Sequence, residues 1–318
     1  MKNIKDIRIY FFIIYFSIKK YMEYIFYKLL LISILVIIIL YYLNNVLNNT
    51  LNNKDFFTNK NKNDDIKIYV GITSIPIRLK YIHNTLNSLL NQDVKPDKIF
   101  VFLPEKSKRL KIDYNVDDIQ KDKINDPDNI IQYVYGVSDE GPITKFYSLL
   151  DYVPKDKNNF LFIVDDDVIY PKSRIANIKK QIDINSKNSY GFSGRKYTNK
   201  DNKERLVFYG NNGDSIEEVD ILEGFDMIAF PRTIFPDNSK EFLDWVKQLP
   251  EESFFVDDII LSKWCDLNNS KRFIYPKDEN NKYYNEVDNV PENVKNIELL
   301  NENLYGRNLD IYKKLFLQ

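Results

Sequence analysis

Three aspartates, Asp165, Asp166 and Asp167, stand side by side directly after the apolar run 160–164 (FLFIV). Adjacent carboxylates repel one another, and setting them beside a hydrophobic strand is costly unless a cation or hydrogen-bond donors offset the charge. A divalent ion does this economically. Mg²⁺ or Mn²⁺ is commonly held by one or two carboxylates, with substrate phosphates and water completing the octahedron. The chemistry this cluster points to is that of a diphosphate; a solvated acidic turn at a strand end is the competing reading. A second acidic pair, Asp257 and Asp258, opens the apolar stretch 257–265. There, carboxylates either favour a helix N-terminus electrostatically or supply an acid/base group. His83 and Cys265 are the single histidine and the single cysteine. They exclude a two-histidine site, a cysteine-rich zinc site and an intrachain disulfide, so a metal must be held by oxygen.

The elements that must position these acids follow from periodicity. The run 160–164 is apolar at every position, the pattern of a strand buried on both faces. In open α/β sheets ligands bind outside the carboxyl ends of the strands, where the three aspartates emerge. Further strands are expected at 66–72, 98–103, 131–137, 206–209 and 227–230. Pro76 precedes a segment with Leu79, Ile82, Leu86, Leu89 and Leu90 on one helical face, and Pro142 opens a helix containing Phe146, Leu149 and Leu150. Helices are also expected at 240–246 and 257–265. This βαβ-like order predicts an α/β domain with a mixed sheet.

A chain of 318 residues, 44% of them hydrophobic, can bury a sizeable core, and one large domain is expected. The formal net charge of -1 leaves no bulk basic field for a phosphate backbone, so nucleic acid is not expected as a partner. Residues 24–43 are apolar apart from Lys28 and Ser33, long enough to cross a bilayer. Lys2, Lys5, Arg8, Lys19 and Lys20 outnumber Asp6 and Glu23 before it, which predicts a single-pass membrane protein with a cytoplasmic N-terminus. The organisation expected is therefore a cytoplasmic segment (1–23), a transmembrane anchor (24–43), an Asn-, Lys- and Asp-rich stem (44–65) and a catalytic domain (66–318), luminal or exterior. A two-pass hairpin using the apolar patch 9–16 is the alternative.

The run 162–168 (FIVDDDV) resembles the DXD motif of GT-A glycosyltransferases, and the order of segments over 66–274 is similar to that fold, glycosyltransferase family 2-like. The resemblance implies a GT-A (Rossmann-like) nucleotide-diphospho-sugar transferase fold, Mn²⁺ or Mg²⁺ at Asp165 and Asp167, and nucleotide contact by Asp166. It also places Thr73 and Arg78, in the first-strand turn 73–78 (TSIPIR), near the base or diphosphate; without it, Thr73 or Ser74 is a plain helix cap. Lys145, in the segment 140–145 (EGPITK), either meets a phosphate or sugar oxygen or belongs to a Gly-Pro turn that starts a helix. The segment 220–225 (DILEGF) resembles the acceptor-side loop of the family, with Glu223 and Gly224 bordering the donor sugar. Asp258, with Asp257 beside it, falls on the catalytic base of inverting members. That base takes the proton of an acceptor hydroxyl while the nucleotide diphosphate leaves on the opposite face. The late histidine that many members add as a metal ligand has no counterpart, since His83 falls in the first helix of the domain. The partners implied are a nucleotide-sugar donor, a UDP- or GDP-sugar, and a glycan, protein or lipid acceptor. Two alternatives stay open: a metal-dependent phosphoryl or nucleotidyl transferase, for which no P-loop is present, and a catalytically inactive carbohydrate-binding membrane protein.

Overall fold

The computed structural model describes residues 65–210, 216–276, 285–286 and 304–317, together with scattered helical residues between 19 and 41. The chain divides into two units, Met1–Lys62 and Asn63–Gln318. In the first, the described residues are helical and exposed. Among the described residues no helix is long and apolar enough to cross a membrane. This overturns the single-pass localisation expected from composition, since a crossing needs about 20 consecutive apolar residues in one helix. The remainder of the expected anchor, and all but the last residue of the expected stem, lies outside the described residues.

The second unit is built on a sheet whose strands have two apolar faces. In β1 (Lys67–Thr73), Ile68, Val70 and Ile72 enter one core while Tyr69 meets the other. In β2 (Lys98–Pro104), Ile99, Val101 and Leu103 oppose Phe100 and Phe102 in the same way. After β3 (Ile131–Val137), β4 (Asn159–Ile163) repeats the division, with Phe160 and Phe162 against Leu161 and Ile163. This period of two forces the sheet to be covered on both sides. The chain then adds β5 (Val168–Ile169), β6 (Ser189–Gly191), β7 (Ser193–Lys200), β8 (Lys203–Gly210), β9 (Glu217–Glu218), β10 (Ile221–Leu222), β11 (Ile228–Pro231) and β12 (Arg272–Ile274). The main sheet runs β3-β2-β1-β4-β11-β6-β12-β9. Its β3-β2-β1-β4 half is parallel, β11 is antiparallel to both neighbours, and β12 lies parallel to β6. The α/β class with a mixed, mostly parallel sheet is thus as expected.

The helices expected around the sheet are present with altered pitch. A 3₁₀ turn, Pro76–Tyr81, leads into α1 (Ile82–Leu90), which buries Ile82, Leu86, Leu89 and Leu90. The helix expected after Pro142 is broken into a 3₁₀ turn (Gly141–Ile143), one α-turn α2 (Thr144–Tyr147) and another 3₁₀ turn (Ser148–Asp151). Close packing explains the departure, because 143–150 are buried throughout. A Cβ at Gly71 would stand 2.1 Å from the Lys145 carbonyl oxygen, so α2 lies flat on β1 as only glycine permits. Then come α3 (Arg174–Gln181), α4 (Ser239–Val246), α5 (Asp257–Leu267) and, at the C-terminus, α6 (Leu304–Phe316). The β7–β8 hairpin turns through Asp201 and Asn202, both left-handed (φ 55° and 57°). That is the backbone a two-residue type I′ connection demands. Sequence periodicity found only part of β8, since β7 (SGRKYTNK) has no apolar alternation and owes its extended form to its partners.

Candidate functional site

The carboxyl ends of β1 and β4 lie side by side, with Gly71 paired to Ile163, so the residues following each strand emerge together. Ser74 donates a hydrogen bond from its hydroxyl to Asp166, and Arg78 holds Asp166 Oδ1 at 3.0 Å and Asp167 Oδ2 at 3.1 Å. Thr85 on α1 donates to the Asp166 carbonyl at 2.8 Å, and Tyr114 donates to the Ser74 carbonyl at 2.8 Å. Asp166 is therefore buried with its charge met by a guanidinium and a hydroxyl, the condition under which an acid can be sequestered. Its neighbours differ: the side chains of Asp165 and Asp167 remain 33% exposed.

On the other side of Asp165 lies Lys145, buried at the start of α2. Its Nζ donates to Asp165 Oδ1 at 2.5 Å and stands 3.0 Å from Asp257 Oδ2, an ion pair without hydrogen-bond alignment. Next to it, Asp258 Oδ1 accepts the Gly224 backbone N–H at 2.9 Å. A Cβ on Gly224 would crowd that oxygen at 3.1 Å and approach Lys145 Nζ at 3.7 Å. Tyr170 ties the two halves together: its hydroxyl accepts the Asp165 N–H at 2.9 Å and donates to the Phe225 carbonyl at 3.3 Å. Under the 224–226 turn, Arg174 and Asp226 form a fully buried ion pair at 3.1 Å, and Ser193 donates to Asp226 at 2.6 Å. Met227, which leaves this turn, is wholly buried with φ 70°, a left-handed backbone unusual for a long side chain. The loop is held in a strained shape by what lies beneath it.

Electrostatics separate the groups. Burial and the neighbouring charge of Asp257 hold the Asp258 carboxyl well above the ordinary aspartate range, with Lys145 pulling the other way. Burial also raises Glu223, against the opposing pull of Arg195. Burial acts to lower Lys145, but Asp165, Asp257 and Asp258 outweigh it and keep the ammonium charged well above its usual range. Burial raises the Tyr170 phenol, so it serves as a neutral donor and acceptor.

Of the residues singled out from sequence, Arg78, Lys145, Asp165, Asp166, Asp167, Glu223, Gly224, Asp257 and Asp258 fall in one connected network. Thr73 ends β1 beside them, but its hydroxyl is committed to the Phe102 carbonyl at 2.8 Å. His83 points its Nδ1 at the Lys80 carbonyl, 3.0 Å away, outside this network. Ser74 was legible only as a cap, whereas Thr85, Tyr114, Tyr170, Arg195 and Asp226 carried no local signal: each is brought in from a separate element.

Among the described residues no group of three or more metal-ligating side chains comes together. A cage of protein ligands is thus not what these acids make. The all-oxygen set does fit a hard cation held by Asp165 and Asp167, the two partly exposed carboxylates, with phosphate and water completing the sphere. Asp166, already met by Arg78 and Ser74, fits a positioning role.

No family model and no curated protein matches the chain. Among solved structures it is similar to the crystal structure of S. aureus TarS 1-349, at 18% identity and a TM-score of 0.42, covering 68% of this chain and 62% of that one. The chain therefore spans less than two thirds of the structure it matches. At that identity and score the likeness says nothing of activity, and function must be argued from the geometry of the site.

Proposed function

We propose that the unit Asn63–Gln318 is a metal-dependent glycosyltransferase that moves a sugar from a nucleotide-sugar donor to an acceptor hydroxyl with inversion. The observation that carries this reading is the meeting of two unlike acidic groups across Lys145: half-buried carboxylates at a strand end, and a carboxylate of raised pKa against a backbone N–H. A diphosphate needs cationic charge, which Lys145 and Arg78 supply from the protein side. Bound Mn²⁺ or Mg²⁺ at Asp165 and Asp167 would supply Lewis-acid stabilisation of the leaving diphosphate. Asp258 takes the proton as the acceptor oxygen bonds to the anomeric carbon and the carbon–oxygen bond to the diphosphate breaks. Its raised pKa suits it to this, because a base works best with a pKa close to the operating pH. Glu223 and Gly224 border the sugar, Asp166 and the turn after β1 face the nucleotide, and Asp257 keeps Lys145 charged and in place.

The test is to incubate the full chain with UDP- and GDP-sugars, with and without Mn²⁺, and to measure released nucleotide. Metal-dependent release of the nucleoside diphosphate, lost in Asp167→Ala, is the expected result. Release of sugar 1-phosphate instead would favour nucleotidyl transfer, and no release from any donor would remove the reading.

A further inference from the structure

Next to the network just described, Glu223 is buried with only one of its oxygens engaged. Oε1 accepts from Arg195 Nε at 2.5 Å, while Oε2 has no hydrogen-bond partner among the described residues. A buried carboxylate oxygen left without a donor is costly, and such a group calls for a specific reason to be kept, a donor brought by a ligand among them. Beside it is an aromatic surface. Phe225, two residues on, lies within 24° of parallel to Phe208 of β8, ring centroids 6.4 Å apart, and the Arg195 guanidinium stands over the Phe208 ring at 5.8 Å. Phe208 is 49% exposed although it sits in a regular strand. One residue, Arg195, thus ties the unsatisfied carboxylate to the open ring, and one stretch, 223–225, joins both to the backbone N–H that holds Asp258.

From this we infer that Phe208, Phe225, Arg195 and Glu223 form an acceptor subsite for a pyranose ring, with the ring's C–H face on Phe208 and a hydroxyl donating to Glu223 Oε2. This rests on the glycosyl-transfer reading for its role but not for its chemistry. An aliphatic ligand would satisfy the rings and leave Oε2 unpaired. A nucleotide would stack, but its phosphates would meet Glu223 and Asp258. A sugar offers an apolar face and several hydroxyl donors at once, which matches an aromatic surface bordered by carboxylates. The field of Asp258 bears this proximity out, since Glu223 is among the charges that raise it.

The experiment is saturation-transfer NMR on the full chain with methyl glycosides of glucose, galactose, mannose and N-acetylglucosamine. Saturation of the protein's aromatic protons is expected to reach the ring C–H protons of at least one glycoside. Phe208→Ala should weaken that glycoside by about tenfold, the scale of losing one stacked ring. Phe208→Tyr should retain it, and Glu223→Gln should weaken it less. A melting temperature within a degree or so of the parent's is expected for Phe208→Ala, because the ring is largely solvated. No binding of any glycoside by the parent chain, or unchanged binding by a folded Phe208→Ala, overturns the subsite. Glycoside binding as expected with no nucleotide diphosphate released from any donor leaves the subsite standing and removes glycosyl transfer. Release without glycoside binding does the reverse.

Discussion

The acids at the end of β4 and the acids around Gly224 are both clustered, yet the protein treats them oppositely. Around Asp166 every charge is answered: Arg78 spans two carboxylates, Ser74 and Thr85 add hydrogen bonds, and the parallel pairing of β1 with β4 fixes the distances. Around Asp258 the acids exceed their cations, one oxygen of Glu223 has no donor among the described residues, and the loop beneath is strained at Met227. The first is a finished structural joint, with Asp165 and Asp167 each partly exposed beside the cation that pairs with it. The second stores unfavourable charge where, in the proposed function, a proton would be taken up. Binding can be preorganised at no cost to turnover, whereas a base must be kept unhappy enough to accept a proton.

Substitutions at four positions would break or sharpen that contrast. The largest effect is expected for Asp258→Asn, which should lower single-turnover sugar transfer by about 10²–10⁴ while donor affinity measured by calorimetry is kept. The same variant should melt higher than the parent, increasingly so as pH rises. The folded Asp258 carboxyl has a raised pKa, so the stability it contributes is whole below the unfolded aspartate range and drains away as pH climbs through the folded value. A variant whose melting advantage shrinks with pH would contradict the assignment of stored charge to this side.

Next in size, Arg78→Ala should destabilise the fold by about 3–5 kcal/mol in urea, because it strands a buried carboxylate. Arg78→Lys should recover only part of this, a point charge being unable to span Asp166 and Asp167 as the guanidinium does. A loss under about 1 kcal/mol would mean the two acidic groups are alike after all. Gly71→Ala should cost about 1–3 kcal/mol or more by overpacking α2 against β1, and should weaken donor binding with it, since the backbone displaced is that of Lys145. Smallest is a shift of the acidic limb of the kcat/KM profile to higher pH in Lys145→Met. Removing the ammonium that favours ionised Asp258 raises that carboxyl further. A limb that moves to lower pH would show that another group is the base.

Much of this was legible along the chain because it is written in local periodicity. Apolar runs at 66–72, 98–103 and 160–164 announced strands, the leucines after Pro76 announced a helix, and the last of these runs, ending in three aspartates, announced a strand tip with acids on it. The apolar character of 24–43, read alone, also predicted an anchor that the described helices do not support; hydropathy counts residues and cannot say how they are arranged.

What the order of residues determined by itself was which side chains carry charge, where the parallel strands β1 to β4 fall, and that oxygen alone is available to a metal. What only the tertiary structure decided was pairing. It set Arg78 between Asp166 and Asp167, Lys145 between Asp165 and Asp257, Gly224 against Asp258, and Arg195 between Glu223 and Phe208. Coulomb and hydrogen-bond energies depend on separations of a few ångströms, and partners such as Lys145 and Asp165, 20 residues apart, or Arg78 and Asp166, 88 apart, acquire such separations only when the sheet closes.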